Sequence, residues 1–190
     1  MKHFIALYSP VMRSGKSTTA VMLTEHLFGT TISFAEPFYS FVIKTAAPFT
    51  KGGEAELRHW LQDERKDHEL IPELGVTLRQ MLIGVGMWGR NEVHPELWTL
   101  IAKKRAQEAL RSYSVIIDDM RFPNEYDMVR SMGGLCLKVI RPDETGSTPK
   151  SEGLLDEHHF DRTIINDGSY EDLRRKVGEF CRDLSWAAAV

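Results

Sequence analysis

Residues 3 to 18, HFIALYSPVMRSGKST, constrain this chain more than any other stretch. An apolar run from His3 to Tyr8 reads as a buried strand, and Ser9 to Ser14 as a turn-prone loop. Gly15-Lys16-Ser17-Thr18 opens a helix that runs through Leu27. Strand, loop ending in Gly-Lys-Ser, then helix: that order is the phosphate-binding loop signature, and chemistry explains it. Polyphosphate oxygens need converging backbone N–H groups. A loop wrapped over a helix N-terminus supplies them, together with the positive end of the helix dipole. Arg13, Ser14, Gly15, Lys16, Ser17 and Thr18 are therefore the candidate ATP-binding residues. Lys16 reaches the β- and γ-phosphates as a point charge, and the Ser17 hydroxyl is a ligand for Mg²⁺. Pro10 stands where the full pattern has glycine, five residues before Gly15. Proline has a fixed φ and no N–H, so the loop entrance is expected to differ from the usual one.

Bulk properties narrow the class. A chain of 190 residues suits one domain with room for a small inserted region. It buries enough surface to need no disulfide or metal staple. A hydrophobic share of 42% and a charged share of 27% are those of a soluble globular protein. The net charge of −3 gives no general basic field, which argues against nucleic acid as the partner. Cys136 and Cys181 read as separate buried thiols in a reducing compartment. No apolar run reaches the roughly 18 residues of a membrane span. The N-terminal apolar run is too short for a signal peptide. The expectation is a cytoplasmic protein that engages no membrane.

Beyond Leu27, strands and helices alternate. Thr31 to Ala35 is β-rich, and Glu36-Pro37 starts a helix to about Ala47, broken by Pro48 and Gly52-Gly53. Glu54 to Leu70 reads as one charged helix with Leu57, Trp60 and Leu61 on one face. Gly75 to Ile83 reads as another, capped by Thr77, after which Gly84, Gly86 and Gly89 are expected to loosen the chain. Pro95 begins a helix through Ala109. Val115-Ile116-Ile117-Asp118-Asp119 is the clearest buried strand. An apolar strand ending in carboxylates is what a parallel sheet places beside a phosphate-binding loop, and a carboxylate there can hold Mg²⁺ directly or through water. Arg121-Phe122-Pro123-Asn124-Glu125 leads into a helix to Met132, Gly133-Gly134 stops it, and Leu135 to Ile140 is the next strand. Residues 142 to 153, rich in Pro, Gly, Ser, Thr and charge, read as a mobile lid. Glu157-His158-His159 cannot easily converge on one ion and reads as a solvated helix end. Phe160 to Ile165 is a last short strand, Asn166 to Ser169 a turn, and Tyr170 to Ser185 the closing helix. The alternation predicts an α/β fold: a doubly wound parallel sheet flanked by helices, with right-handed crossovers.

Five pieces in this order resemble the bacteriophage deoxynucleoside monophosphate kinases, within the P-loop nucleoside monophosphate kinase superfamily. They are the N-terminal loop; Phe34-Ala35-Glu36-Pro37; and Leu78-Arg79-Gln80-Met81-Leu82 with Gly86 and Arg90. Asp119-Met120-Arg121-Phe122-Pro123-Asn124-Glu125 is the fourth and most specific. Ser151-Glu152 with Ile165-Asn166-Asp167-Gly168-Ser169 and Leu173 is the fifth. Pro10 departs from the pattern, as does Pro149, where relatives often carry His ahead of Ser-Glu.

The resemblance implies one P-loop NTPase-type kinase domain over 1–190, with a helical acceptor-binding insertion over 36–100 and a short lid over 142–160. It implies transfer of the ATP γ-phosphoryl group to a deoxynucleoside monophosphate, with ATP and Mg²⁺ as cofactors. Partners would be small-molecule nucleotides, a homodimer is left open, and a phage-encoded chain would act in the host bacterial cytoplasm. Such transfer asks mainly for positioning and charge neutralisation, and Lys16, Arg65, Lys66, Arg79, Arg90, Arg121 and Arg141 supply cations from separate segments. Arg79 and Arg90, flanking the glycine-rich stretch, are the acceptor-phosphate candidates, with Lys66 beside them; solvated helix-face charges are the alternative. Arg121 either faces the reacting phosphates or structures its loop, and Arg141 is a candidate to cover ATP. Lys16, Asp119, Arg121 and Arg141 form the expected catalytic set, and Ser17 with Asp119 the expected metal ligands. The resemblance aligns on Asp119 and so ranks it above Asp118. Asn166 and its neighbours resemble the turn over which such kinases place adenine. Trp60, Trp88 and Trp98 read first as core, with Trp88 the candidate for stacking on the acceptor base.

Two other readings stay open at this stage. The same fold could serve another acceptor, such as dephospho-coenzyme A or a sugar acid, because only the 36–100 segment would differ. A non-catalytic nucleotide switch or a DNA-handling ATPase is the other, opposed by the small size and the lack of a basic stripe.

Overall fold

Phe4–Tyr8 forms β1, and all five of its side chains are buried. A strand apolar on both faces must be covered on both, which is the situation of a central strand in a parallel sheet. The structure, a computed structural model, describes residues 1–142 and 154–187. After β1 come α1 Lys16–Leu27, β2 Gly29–Ile32, α2 Glu36–Ala46, α3 Gly53–Trp60, α4 Arg65–His68, β3 Leu70–Ile71 and β4 Val76–Thr77. Then follow α5 Leu78–Trp88, α6 Leu97–Ala109, β5 Ser114–Ile117, α7 Pro123–Ser131, β6 Leu135–Ile140, β7 Arg162–Ile165 and α8 Tyr170–Ala187. No helix of the described residues is long and apolar enough to cross a membrane.

The chain divides into two compact units, Met1–Phe34 with the segment from Ala102 on, and Ala35–Ile101. In the first, five parallel strands lie in the order β2-β5-β1-β6-β7. The period-2 alternation of β1 splits its side chains between two cores. Ile5 and Leu7 pack with Leu23 of α1 and Val177 of α8. Phe4, Ala6 and Tyr8 pack with Ala102 and Ala106 of α6 and Val129 of α7. Helices thus cover both faces, as the alternation predicts. Cys136 and Cys181 are buried thiols, and burial pushes them up to about 12 and about 11. β2 begins and ends earlier than expected, because its parallel pairing with β5 stops at Ile32 opposite Ile117.

Two expectations about the second unit are overturned. Glu54 to Leu70 is not one helix: α3 stops at Trp60, α4 is a single turn, and β3 pairs antiparallel with β4, Leu70 opposite Thr77. The Asp63 carboxylate accepts the Arg65 N–H at 2.9 Å, a local bond that competes with helix continuation. The turn of the hairpin uses Glu73 and Gly75 at φ 62 and 64, which a right-handed helix excludes. Nor do the glycines loosen the chain after Ile83. Thr77 caps α5 as expected, exchanging bonds with Gln80 at 2.8 and 3.2 Å. The helix then continues to Trp88 and passes into a π-helical turn, Gly89–Val93. The reason is close approach. The indole N–H of Trp98 donates to the Gly86 carbonyl at 2.9 Å. A Cβ on Gly89 would lie 2.3 Å from Trp98 Cζ2.

The lid reading covers 142–153, of which 143–153 lie outside the described residues. The rest of the 142–160 region, from Leu154 to Phe160, is anchored at a few points. Leu155 is fully buried, Phe160 stacks on Tyr8 at 5.3 Å, and Asp156 accepts from Tyr8 at 3.1 Å and from Lys138 at 2.8 Å. Glu157-His158-His159 belongs to a turn, not a helix end, with the His159 carbonyl accepting from the Tyr126 hydroxyl.

The two kinds of helical glycine give a paired test. Gly89→Ala is expected to overpack against Trp98 and cost about 1–3 kcal/mol. Gly84→Ala, whose Cβ would meet nothing within 4 Å, is expected to add about 0.5–1 kcal/mol. Urea midpoints moving in opposite directions at unchanged slope would bear this out.

Candidate active site

All five strands of the main sheet run the same way, so their carboxyl ends share one edge. The phosphate-binding loop leaves β1 at that edge, Ser33 leaves β2, Asp118 and Asp119 leave β5, Arg141 leaves β6, and Asn166 leaves β7. β1 is flanked by β5 and β6, so the strand order reverses on either side of it. Ligands of open α/β sheets bind outside such a switch point. A cavity of about 540 Å³ opens there, lined by residues 11–18, Arg121, Arg141, Asn166, Gly168, Tyr170 and Leu173.

The loop is held from its own side chains and from a distant strand. At its entrance the Ser9 hydroxyl donates to the Val11 carbonyl at 2.9 Å and accepts the Val11 N–H at 3.4 Å. A hydroxyl-closed turn around Pro10 thus replaces the glycine entrance. Arg13 and Gly15 both take left-handed backbone, φ 59 and 91. The Asn166 side-chain amide donates to the Ser14 carbonyl at 3.0 Å. A Cβ at Gly15 would come within 2.5 Å of that amide nitrogen, so two independent constraints, φ and space, demand glycine. No side chain caps α1, and its first turn carries no acidic residue. Its start therefore turns the positive end of an unneutralised helix dipole toward the cavity.

The carboxylates divide their duties. Asp119 accepts from the Phe34 N–H at 2.9 Å and from the Ser33 hydroxyl at 2.5 Å, fastening the exit of β2. Asp118 feels the charge of Lys16. Burial, then the charge of Asp119, push its carboxyl above the usual range, while Lys16 pulls it back. The sequence expectation that ranks Asp119 first thus meets a structure that gives Asp119 a fastening role as well. Ser17 and this pair carry hard oxygens of the kind Mg²⁺ takes and would be the residues to hold it; when bound it would neutralise charge on phosphate oxygens.

Arg121 and Arg141 both line the cavity. Glu125 is 2% exposed, and its carboxylate accepts the backbone N–H groups of Arg121 at 2.7 Å and of Phe122 at 3.1 Å. Glu125 thus fixes the backbone of this loop, and Arg121 lines the cavity. Sequence reasoning missed Glu125 and the clamp function of Asn166. Glu at the third position after Phe122, with Pro123 opening the helix, is the signal that finds the former.

The remaining candidates lie in the second unit. Arg79, the second residue of α5, donates its Nε–H to Asp67 at 2.6 Å. Lys66 precedes Asp67 and donates to the Leu61 carbonyl at 3.5 Å. Arg65 is gripped by Asp63. Arg90 lies past the far end of α5. Eleven residues of helix span roughly 16 Å, so Arg79 and Arg90 stand about three turns apart along continuous helix rather than on either side of a glycine turn. Trp88 is nine residues beyond Arg79, about half a turn around the helix axis. It is 54% exposed. Trp60 and Trp98 are core residues.

No protein-family model matches the chain, and no curated protein is significantly similar to it. Solved structures are. Dephospho-CoA kinase from Campylobacter jejuni superposes with a TM-score of 0.50 at 14% identity, over 96% of this chain and 97% of that one. An APS kinase from Mycobacterium tuberculosis gives 0.44 at 12% identity, over 95% and 97%. A sugar kinase from Janibacter sp. gives 0.40 at 15% identity, over 99% and 95%. The architecture is thus that of a solved kinase: a five-stranded parallel sheet flanked by helices, with the phosphate-binding loop at its central strand.

Asn166→Ala is expected to release the Ser14 carbonyl and loosen the loop. A hydrogen bond of about 1 kcal/mol corresponds to roughly fivefold weaker polyphosphate binding. Calorimetric titration of pyrophosphate into the two proteins measures it.

Proposed function

We propose that the chain is a phosphotransferase that moves the γ-phosphoryl group of ATP to a deoxynucleoside 5′-monophosphate, giving ADP and the diphosphate. The cavity at the carboxyl edge of the sheet carries this reading. An uncapped helix start, Lys16, Arg121 and Arg141 supply positive charge to one polar volume. In the reaction an oxygen of the acceptor phosphate bonds to the γ-phosphorus, and the bond to the β–γ bridging oxygen breaks. Charge gathers on the three oxygens in transit, so fixed cations and N–H groups do most of the work. The acceptor reading draws on Arg79 and Lys66 and on the resemblance of Asp119 to Glu125 to the monophosphate kinases. The neighbouring kinases' names speak of dephospho-coenzyme A, APS and sugar, and at their low identity they support the fold rather than an acceptor.

ADP release with dGMP, dTMP, dephospho-coenzyme A, a sugar acid, single-stranded DNA or no addition tests the proposal. Stimulation by a deoxynucleoside monophosphate supports it. Stimulation by another acceptor, or by DNA, replaces it. Lys16→Ala is expected to lower turnover about 10²–10³-fold without loss of fold. Arg79→Ala is expected to raise the KM of the acceptor one to two decades and leave that of ATP, since a lost charge-assisted pair costs about 1.5–3 kcal/mol.

The two carboxylates should separate. Asp118→Asn is expected to lower kcat about a hundredfold with little change in thermal midpoint. Asp119→Asn is expected to lower the midpoint as well, because the Ser33 and Phe34 bonds weaken. Parallel kinetics and melting curves decide between catalytic and fastening roles.

A further inference from the structure

We infer that Asp67 is a positioning residue for acceptor binding: it takes the Nε–H of Arg79 and so presents the two Nη groups to the dianionic phosphate of a monoester. The inference rests on the reading of Arg79 as an acceptor residue. Its observation is the shape of the ion pair. Arg79 makes one bond, Nε to Asp67 Oδ1 at 2.6 Å, and among the described residues its Nη groups make no hydrogen bond to protein. The adjacent pair differs. Arg65 spends both Nε and Nη2 on Asp63, at 3.0 and 2.6 Å, the two-bond geometry that satisfies a carboxylate and its arginine together. A guanidinium held by Nε alone keeps four coplanar N–H donors, enough for an end-on grip on two phosphate oxygens.

The holder is itself fixed. The β3–β4 hairpin pairs Leu70 with Thr77, which brings the start of α5 back to α4. The Thr77–Gln80 capping bonds fix the first turn of α5, in which Arg79 sits. The side chains of Arg79 and Asp67 are 33% and 36% exposed, so an anion from solvent can reach the guanidinium. Lys66 and His68 flank Asp67 in sequence and offset its charge, which suits a dianion better than a single carboxylate.

The test is a cycle of variants in steady-state kinetics, run on whichever acceptor the wild type uses. Asp67→Ala is expected to raise the acceptor KM about tenfold and leave the KM of ATP unchanged. Asp67→Asn keeps an oxygen for the Nε–H and is expected to recover most of the loss. In an Arg79→Ala background, Asp67→Ala is expected to add nothing, since a residue that acts through another cannot act without it. A fall in acceptor KM would make Asp67 a competitor for Arg79, and no change would make it a surface charge; either overturns the inference, as do effects that multiply. A second readout needs no turnover. Inorganic phosphate titrated into ¹⁵N-arginine-labelled protein is expected to shift the Arg79 Nε–H resonance in the wild type, with weaker saturation in Asp67→Ala. A chain that transfers to none of the tested acceptors defeats the proposed function alone. An Arg79 resonance that phosphate leaves unmoved defeats this inference alone.

Discussion

β1 is buried on both faces and hydrogen-bonded along both edges, so chemistry can reach it only at its ends. Parallel pairing then decides which end. Because β2, β5, β6 and β7 all run with β1, the residues that leave each strand emerge on the same edge as the phosphate-binding loop. Ser33, Asp118, Asp119, Arg141 and Asn166 are scattered over more than a hundred positions of sequence, yet share that edge for this one reason. The five apolar side chains of β1 thus do two things: they anchor both cores, and they set the place where polar groups can gather.

Two glycines show how packing rather than flexibility selects the smallest residue. Gly15 is pressed by the Asn166 amide while its backbone takes φ 91, so the bond that pins the loop also forbids a side chain there. Gly89 has ordinary helical backbone and is required only because Trp98 lies against it. Reading either as a hinge mistakes its physics. The first lets the Asn166 amide close against the loop, and the second lets an indole seal a core.

The carboxylates and arginines of the molecule fall into holders and held. Glu125 holds the Arg121 backbone, Asp119 holds Ser33 and Phe34, and Asp67 holds Arg79 by one nitrogen. In each case an acidic side chain orders a neighbouring segment or side chain. Fixed charges arranged before a substrate arrives cost no reorganisation during transfer, which is what the proposed phosphoryl chemistry would need most.

Much of this was legible in the sequence because it is local. The loop between β1 and α1, the apolar run of β5, the Thr77 cap and β6 from Leu135 to Ile140 are each specified by neighbours within a few residues. Period 2 and period 3.6 patterns and cap chemistry suffice for such elements. What failed was non-local. Whether Gly86 and Gly89 break a helix depends on Trp98, and whether Glu54 to Leu70 stays helical depends on a hairpin partner at Val76–Thr77. The separation of Arg79 from Arg90 and Trp88 follows from that same unbroken helix. The sequence by itself determined the fold class and the strand–loop–helix order around Gly-Lys-Ser, because apolar periodicity and that turn carry their own geometry. Only the tertiary structure decided that Asn166 pins the loop, that Asp118 feels Lys16 and that Asp67 holds Arg79. Those pairings join separate segments, and no pattern within a single segment encodes the distance between two of them.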